Sequence, residues 1–397
     1  MISTGYARNL LEADRLVKEM KLYRLELYDQ IEEQARMAYK EVVERSMNNF
    51  IDGKLQELER RGEYDRRNGY YSRNLLTELG NIELMVPRTR TFSACQVLEK
   101  YARRTGSIEK AIVAGFVLGL STRKVGEVLL HLFGEKVSPS TVSRIAMVLD
   151  EAVERFHNRP LADHYQALIF DGVVLKQKTG AGTIKRTVLV ALGILADGRK
   201  EVIDYAPATG ESEQQWQRFL DSLWRRGLRG AGVKIIVTDG NEGLLNALAT
   251  VYPGVAVQRC WTHRIHNFEK KCRRQDWKEM KRGLHRIMKA KNEKAARSAA
   301  GRFASRWQNA YPSIVDGLRK TLDQLLVFFM FEEEQWRTMT RTTNLIERRF
   351  REVRRRTRPM GVMANRASLE RIMYAIFSFE NENQGVTTHL LLLTQKS

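Results

Sequence analysis

The strongest constraint on the fold is the order of strand-like and helix-like segments between residues 165 and 261. Three apolar segments rich in β-forming residues follow one another through short turns, and they predict three adjacent strands of one sheet. These segments read YQALIFDG, RTVLVALGILADG and RKEVIDYAPA. The next segment, SEQQWQRFLDSLWRRGL, has apolar residues at helical spacing. Two further strand segments, VKIIVTDG and GVAVQRCW, flank a second predicted helix.

A meander of three strands followed by helix, strand, helix and strand is the order of a ribonuclease H-like core. Such a core needs one more helix after the fifth strand, but here residues 264–335 intervene. They are rich in helix-forming residues and strongly basic, with 14 Lys and Arg against 4 acids in residues 264–302. We therefore predict an α/β ribonuclease H-like catalytic core over residues 161–263 and 336–397, interrupted by an all-helical basic insertion.

The composition favours a nucleic-acid partner. The 397 residues contain 67 Lys and Arg against 47 Asp and Glu, and the formal net charge of +20 attracts polyanions. The longest apolar runs, Val188–Leu195 and Leu325–Phe331, are much shorter than the roughly 20 residues that a membrane span needs. The first residues lack the layout of an export signal, and three cysteines are too few for a disulfide framework. We therefore expect a cytoplasmic protein that binds no membrane.

Three regions precede the predicted core. Residues 1–66 have apolar and charged residues at helical spacing and predict a long helix, which either dimerises with another chain or lies on its own domain. Residues 67–105 predict a basic β-hairpin region with its turn at Gly80 and Asn81. Residues 106–160 predict a set of short helices similar to a helix-turn-helix DNA-binding domain.

The helix-turn-helix prediction depends on helix start signals. Ser121 and Ser138 can each cap a helix, and Pro139 occupies a first helical position. In a DNA-binding unit of this type the second helix lies in a groove. The residues that it would carry toward DNA are Ser140, Thr141 and Arg144. Short helix pairs also occur in many folds that never contact DNA, so the pattern alone leaves both alternatives open.

Two aspartates mark the candidate active site. Asp171 follows the first predicted strand and Asp239 the fourth, and these strands are neighbours in a core of this order. Carboxylates held close together repel each other unless a cation lies between them, and Mg²⁺ prefers carboxylate, phosphate and water oxygens. Two such ions can bind the attacking and leaving oxygens of an in-line phosphoryl displacement. Taken singly, each Asp-Gly pair is more often an ordinary turn.

Glu347 is the candidate third carboxylate. It lies in TTNLIERRFREVRRRTRP, where Ile346, Phe350 and Val353 form an apolar stripe and arginines recur along a neighbouring face. One acid followed by a row of arginines suits a metal next to a phosphate backbone. The alternative is that Glu347 only caps the helix that starts near Asn344. The arginines predicted to bind DNA are Arg348, Arg351, Arg354, Arg355 and Arg358.

Cys260 and His263 form a further candidate motif. A Cys-x-x-His pair can bind zinc, but a structural zinc site needs four ligands, and Cys272 and His285 lie in an irregular basic pattern. We expect the pair to pack or to form hydrogen bonds behind the catalytic face. The His263 imidazole could also contact the scissile phosphate, and the spacing does not decide between these roles.

With these motifs in place, residues 67–380 resemble a bacterial insertion-sequence transposase of the mutator-type DDE family. The resemblance implies that Asp171, Asp239 and Glu347 are the catalytic and metal-binding triad, and it places the Cys/Asp-x-x-His motif of the family on Cys260 and His263. Met363 departs from the family pattern, because an aromatic residue is expected there. The packing after the glutamate helix therefore stays open.

The resemblance also implies a mechanism. A homodimer at the bacterial nucleoid would bind the terminal inverted repeats of an insertion sequence, cleave one strand at an element end, and use the 3′-OH to join the ends into a circle before entering target DNA. Mg²⁺ would be the cofactor, and Mn²⁺ would substitute for it. Two alternatives remain: a catalytically silent, sequence-specific DNA-binding protein, and a structure-selective nuclease.

Overall fold

The computed structural model describes residues 4–95 and 104–386. Parts of three predicted regions, residues 1–3, 96–103 and 387–397, lie outside the described residues. Within the described part of the chain, no helix is both long and apolar enough to cross a membrane.

The chain divides into two compact units. The first contains residues 1–115 and 122–145, and the second contains residues 116–121 and 146–397. Residues of the predicted helix-turn-helix region fall in both units. The division of the chain into six functional regions remains a prediction.

The first unit is built on a long helix and a β-hairpin. Helix α1 spans Thr4–Arg60, and the antiparallel strands β1 and β2 span Arg67–Thr77 and Gly80–Thr89. The second half of α1 packs on the hairpin, so this half of the predicted helix lies on its own domain. The buried residues of this small core are Met47, Ile51, Leu75, Ile82, Leu84, Val86 and Ala94.

The predicted position of the hairpin turn is wrong by two residues. The ladder closes with Thr77 paired to Gly80, so Glu78 and Leu79 form the turn. The Thr77 hydroxyl donates to the Gly80 carbonyl oxygen at 2.9 Å and accepts from the Leu79 N–H at 3.1 Å. Gly80 follows with a φ of +96°, a conformation that favours glycine. The Thr77 side chain therefore fixes the turn ahead of the glycine.

Three short helices follow the hairpin: α2, Gly106–Val117; α3, Thr122–Phe133; and α4, Pro139–Ile145. Helices α3 and α4 pack together. The Ser138 hydroxyl accepts from the Thr141 N–H at 3.2 Å, which confirms the predicted cap with Pro139 in the first helical position. Gly126 on α3 is buried, and a Cβ added there would overlap the Val137 carbonyl oxygen. This glycine therefore permits the close approach of the connection before α4.

The second unit contains a five-stranded mixed sheet with the strand order β5-β4-β3-β6-β7. The strands are β3, Tyr165–Thr179; β4, Gly182–Leu195; β5, Lys200–Ala208; β6, Ile235–Thr238; and β7, Ala256–Arg259. Strands β3, β4 and β5 form the predicted antiparallel meander. Strands β6 and β7 continue the sheet in parallel from β3. The predicted order of strands and helices through β7 is therefore confirmed.

Helices cover both faces of the sheet. The helices around it are α5, Leu149–Asn158; α6, Glu213–Arg225; α7, Glu242–Val251; α13, Asn344–Thr357; and α14, Arg366–Asn383. Phe170 of β3 packs in one core cluster with Trp216 of α6. Side chains alternate between the faces of a strand, so Asp171 points to the opposite face. Helix α13 contacts β3, and its predicted apolar stripe of Ile346, Phe350 and Val353 is buried.

Only helices occur between β7 and α13. They are α8, Trp261–Glu269; α9, Arg274–Met288; α10, Glu293–Trp307; α11, Pro312–Leu326; and α12, Glu334–Thr340, with a 3₁₀ turn at Val327–Met330. Helix α10 packs on both α9 and α11, and α11 also contacts β7. This segment agrees with the predicted all-helical character of residues 264–335.

The prediction that the first strand of the sheet ends at Asp171 is wrong. Strand β3 continues to Thr179 and pairs with β4 along its length. What stops at this point is the parallel ladder with β6, whose last pair is Phe170 and Thr238. Met363 is buried and forms a backbone bridge to the extended part of β3, with its N–H donating to the Lys176 carbonyl at 2.9 Å. The methionine therefore packs at the position where the resemblance predicts an aromatic residue.

Replacing Gly126 by alanine tests the close contact between α3 and the Val137 carbonyl. We expect Gly126→Ala to lower the free energy of unfolding of the first unit by about 1–3 kcal/mol, because the added methyl group overlaps a backbone atom. Gly53→Ala is the matched control, since Gly53 is exposed in α1 and a Cβ added there would meet nothing within 4 Å. There, alanine should stabilise the helix by up to about 1 kcal/mol. Urea denaturation of both variants gives the comparison, and equal midpoints would contradict the contact.

Candidate active site

Asp171 and Asp239 lie side by side where the parallel ladder of β3 and β6 ends. The last paired residues are Phe170 and Thr238, so each aspartate is the residue directly after this last pair. Asp171 Oδ1 accepts from the Gly172 N–H at 2.8 Å, and Asp239 Oδ1 accepts from the Asn241 N–H at 2.8 Å. Asp239 thus accepts a backbone hydrogen bond as a turn aspartate does, but through one carboxylate oxygen only. Neither Oδ2 atom receives a hydrogen bond from the described residues.

Glu347 reaches the same site from the first turn of α13. Its Oε1 lies 2.9 Å from His263 Nε2 and 3.2 Å from the Thr343 hydroxyl. The Asn344 N–H donates instead to the Thr342 hydroxyl, at 3.4 Å. The carboxylate therefore does not cap its own helix, and the capping alternative is wrong. As in the two aspartates, the second carboxylate oxygen accepts no hydrogen bond within the described chain.

The donor atoms suit a hard divalent cation. One ligand atom each from Asp171, His263 and Glu347 lie within 4.8 Å of one another, and Asp239 is near enough for its charge to act on both Asp171 and His263. Asp171 is only 8% exposed, yet its Oδ2 has no donor among the described residues. Carboxylate oxygens are the ligands that Mg²⁺ prefers. The close group contains His263 and not Asp239, so the carboxylates of Asp171 and Glu347 fit a divalent cation and Asp239 lies nearby.

The electrostatics show why the site needs a cation. Burial raises the pKa of Asp171 to about 7, and the charges of Asp239 and Glu347 act in the same direction. The hydrogen bond with His263 lowers the pKa of Glu347, and the same bond raises the pKa of His263. In the protein alone, the His263 imidazole lies against the Glu347 carboxylate, and the raised pKa of Asp171 favours its neutral form.

Cys260 supports the glutamate from behind. Its thiol is fully buried, and burial raises its pKa, so it stays protonated. The sulfur accepts from the Thr343 N–H at 3.2 Å and lies 3.3 Å from the Thr343 hydroxyl, which in turn contacts Glu347. The thiol is absent from the group of candidate metal ligands among the described residues. Cys260 and His263 therefore hold the start of α13 in place, and a zinc site is not supported.

Comparison with known proteins identifies the chain. Residues 10–385 match the sequence profile of the transposases of the Mutator family. The chain is 31% identical to the transposase for insertion sequence element IS905 of Lactococcus lactis over 87% of this chain and 90% of that protein. It is 30% identical to the transposase for IS256 in transposon Tn4001 of Staphylococcus aureus, over 85% and 88% of the two chains. The chain belongs to the Mutator family of transposases. This membership implies a ribonuclease H-like core, DDE polynucleotidyl transferase activity and a divalent metal.

The arginines predicted to bind DNA are all exposed on α13 or just after it. Arg355 forms a salt bridge with Glu352 at 2.9 Å. The other four form no salt bridge within the described residues, and Arg354 is close enough to Glu347 to lower the pKa of that carboxyl group. A transposase helix of this kind presents unpaired positive charge next to its candidate catalytic glutamate. The four are Arg348, Arg351, Arg354 and Arg358.

The predicted DNA contacts on α4 need one correction. Ser140 and Arg144 are exposed, but Thr141 is buried, and its hydroxyl bonds to Ser138 at 2.9 Å and Arg144 at 3.4 Å. A buried hydroxyl that is engaged within its own helix start is not available to a DNA groove. Thr141 therefore has a structural role, and only Ser140 and Arg144 remain candidates.

Sequence reasoning missed one acid at the site, Glu211. It is half-buried just before α6, and the charges of Asp239 and His263 both act on it. It follows no strand-end or helix-face pattern, so its position became visible only in the folded chain. The available signal is the glycine after Asp171, which lies within a strand and leaves room for the Glu211 carboxylate.

The raised pKa of Asp171 predicts how pH acts on the metal-free protein. The protonated carboxyl group stabilises the fold fully below its ordinary pKa of 3.8, and this contribution is lost as pH rises toward about 7. In EDTA, the melting temperature of Asp171→Asn should therefore rise relative to that of the wild type over this pH range. With Mg²⁺ the trend reverses, because the ion competes with the proton for the wild-type carboxylate. Melting curves at several pH values test this, and parallel curves in EDTA would contradict it.

Proposed function

We propose that this chain is the DNA transposase of an insertion sequence, which binds the terminal inverted repeats, cleaves one strand at an element end and transfers the resulting 3′-OH to DNA. The observation that carries the proposal is the convergence of Asp171, Asp239 and Glu347, each with one anchored and one free carboxylate oxygen among the described residues. A copy-out, paste-in route through a circular intermediate, at the bacterial nucleoid, is the fuller form of this proposal.

The core supports the proposed chemistry through the placement of its own residues. Strands β3 and β6 fix the two aspartates, while Cys260, Thr343 and His263 fix Glu347. When bound, two Mg²⁺ ions would stabilise the attacking and leaving oxygens of an in-line displacement, and Mn²⁺ would substitute. Hydrolysis and strand transfer are the same displacement with different nucleophiles, so one set of side chains serves both. We further propose that helices α8 to α12 are an insertion into a ribonuclease H-like core.

DNA affinity is proposed to come mainly from phosphate contacts. Helices α8 to α10 and their connections carry the basic excess of residues 264–302, and α13 presents its exposed arginines beside Glu347. Contacts of this kind hold the backbone without reading bases. Repeat recognition is assigned to Ser140 and Arg144 of α4 and to the hairpin β1–β2, which would read the terminal repeats.

A homodimer is proposed through the first half of α1. This half exposes large apolar side chains, whereas the second half packs on the hairpin. Exposed apolar residues at this density on one helix commonly mark an interaction surface. A second copy of the same helix is the partner that we propose. The exposed residues are Val17, Met20, Leu22, Tyr23, Leu25, Leu27, Tyr28 and Ile31.

Removing single carboxylates tests the proposed reaction. Asp171→Asn and Glu347→Gln should each lower Mg²⁺-dependent cleavage of a repeat-bearing duplex by more than about 10³-fold, because one metal ligand is lost. Binding to the same duplex should stay largely unchanged. Asp316→Asn is the control, since it makes the same change of charge at an exposed site on α11. Full cleavage by either triad variant would show that the site is assigned wrongly.

The same assay separates the two alternatives. A silent DNA-binding protein would bind the repeat and never cleave it, whatever metal is added. A structure-selective nuclease would cut a branched junction of unrelated sequence faster than linear repeat DNA. We expect cleavage of the linear repeat and little cleavage of the junction, because the proposed readers on α4 and the hairpin recognise sequence.

The arginine row predicts the salt dependence of binding. Each lost phosphate contact lowers the slope of log Kd against log salt concentration by about 0.9, so replacing both Arg351 and Arg354 by glutamine should lower it by about 2. Arg297→Gln is the matched control, because Arg297 is already paired with Glu293 and Asp323. Fluorescence anisotropy across a salt series measures the slopes. Equal slopes for the double variant and the control would remove α13 from the DNA interface.

A further inference from the structure

Glu211 lies against the strand that carries Asp171. It is half-buried in the connection between β5 and α6, and its carboxylate approaches the Cα of Gly172. A Cβ added to Gly172 would lie 2.5 Å from Glu211 Oε1 and 3.1 Å from its Cδ. Gly172 has no positive φ that would call for glycine. The Glu211 carboxylate, together with Thr187 Cγ2 at 3.2 Å, therefore occupies the space beside the Gly172 Cα.

A second glycine fixes the backbone of Glu211. A Cβ on Gly243, in the first turn of α7, would lie 2.6 Å from the Glu213 nitrogen and 3.0 Å from the Glu211 carbonyl oxygen. The Asn246 side chain also donates to Glu213 Oε2 at 2.8 Å. Gly172 directly follows Asp171, and Gly243 lies four residues after Asp239. The segment that carries Glu211 thus contacts both Gly172, which follows Asp171 in β3, and Gly243 in the first turn of α7.

No cationic side chain among the described residues pairs with this carboxylate. Burial and the charge of Asp239 raise the pKa of Glu211, and only His263 opposes them. Within the described residues, Glu211 forms no salt bridge and accepts no side-chain or backbone hydrogen bond. Its neighbours Asp171, Asp239 and Glu347 are each anchored through one oxygen. Four carboxylates share one imidazole, a deficit of positive charge that two divalent cations would cancel.

We propose that Glu211 is a fourth carboxylate ligand of the divalent-cation centre. The proposal rests on the proposed function, in which Asp171, Asp239 and Glu347 hold the metal. The Glu211 carboxylate lies beside the backbone of Gly172, the residue after the almost fully buried Asp171, and the charges of Asp239 and His263 act on it. An additional oxygen ligand suits Mg²⁺ and Mn²⁺, which both prefer carboxylates.

Calorimetric titration of the full chain with Mn²⁺, without DNA, tests the proposal. Glu211→Gln keeps the shape of the side chain and removes its charge, and it should weaken the binding of at least one Mn²⁺ by roughly 10- to 100-fold. Glu213→Gln is the matched control, because Glu213 is exposed two residues away and its amide oxygen can keep the bond from Asn246. The control should titrate like the wild type. An isotherm of Glu211→Gln equal to that of the control would overturn the proposal.

Melting temperatures provide a second readout that a merely structural role would not reproduce. In EDTA, Glu211→Gln should melt at a higher temperature than the wild type, because one repelling charge is gone. In Mg²⁺ it should gain less stability than the wild type does. A lower melting temperature in both conditions would show that Glu211 only supports packing.

The variant Asp171→Asn separates a failure of the Glu211 proposal from a failure of the proposed function. If Asp171→Asn abolishes Mn²⁺ binding while Glu211→Gln does not weaken it, the centre stands and the fourth ligand fails. If Asp171→Asn binds Mn²⁺ like the wild type, the proposed function itself is wrong at this site, and the role of Glu211 falls with it.

Discussion

Repulsion between carboxylates is the constraint on which the second unit of this protein depends. Two unit charges about 4 Å apart near a protein surface interact by roughly 4 kcal/mol, and burial makes the ionised forms less favourable still. In the metal-free protein, the pKa of Asp171 is raised to about 7, which reduces the repulsion because the carboxyl group keeps its proton. The Glu347 carboxylate pairs with His263. Neither effect removes the repulsion between the ionised carboxylates. In the proposed centre, bound cations would therefore stabilise the ionised form, and metal binding would be coupled to the proposed catalytic arrangement.

The fold holds this unfavourable arrangement by giving each acid of the triad one fixed oxygen. Oδ1 of both aspartates accepts a backbone N–H, and Oε1 of Glu347 accepts from His263 and faces the Thr343 hydroxyl. Such bonds orient a ligand and leave its second oxygen for the ion, as partners behind metal ligands commonly do. Cys260 extends the support to the end of β7, since its sulfur accepts from the Thr343 N–H. The helix that carries the glutamate is thereby tied to the strand next to β6.

Much of the fold of the second unit could be predicted from local sequence, because strands and helices have characteristic periodicities of apolar residues. The meander, the order of the elements and the positions of Asp171 and Asp239 followed from apolar runs that stop at an acid. The parallel register of β3 and β6 then brings the two aspartates together without further information. Glu347 required more, since only its contacts with His263 and Thr343 in the folded chain show that it does not cap its helix. Thr141 and the hairpin turn were mispredicted because side-chain hydrogen bonds to the backbone, at Ser138 and Thr77, overrode the residue pattern.

The two Asp-Gly dipeptides show why the remaining acid escaped detection. Gly240 has a φ of +90° and lies against the Arg259 side chain, so it is the turn glycine that its sequence suggests. Gly172 has the same preceding residue but continues an extended strand, where glycine normally weakens pairing and packing. A glycine in the interior of a strand therefore indicates that another group approaches closely, and here that group is the Glu211 carboxylate. The two Asp-Gly dipeptides are identical in sequence but meet different structural requirements, and only the tertiary contacts distinguish them. For the same reason, a bulky residue at 172 would disturb the site even though Asp171 and the register of the sheet were unchanged.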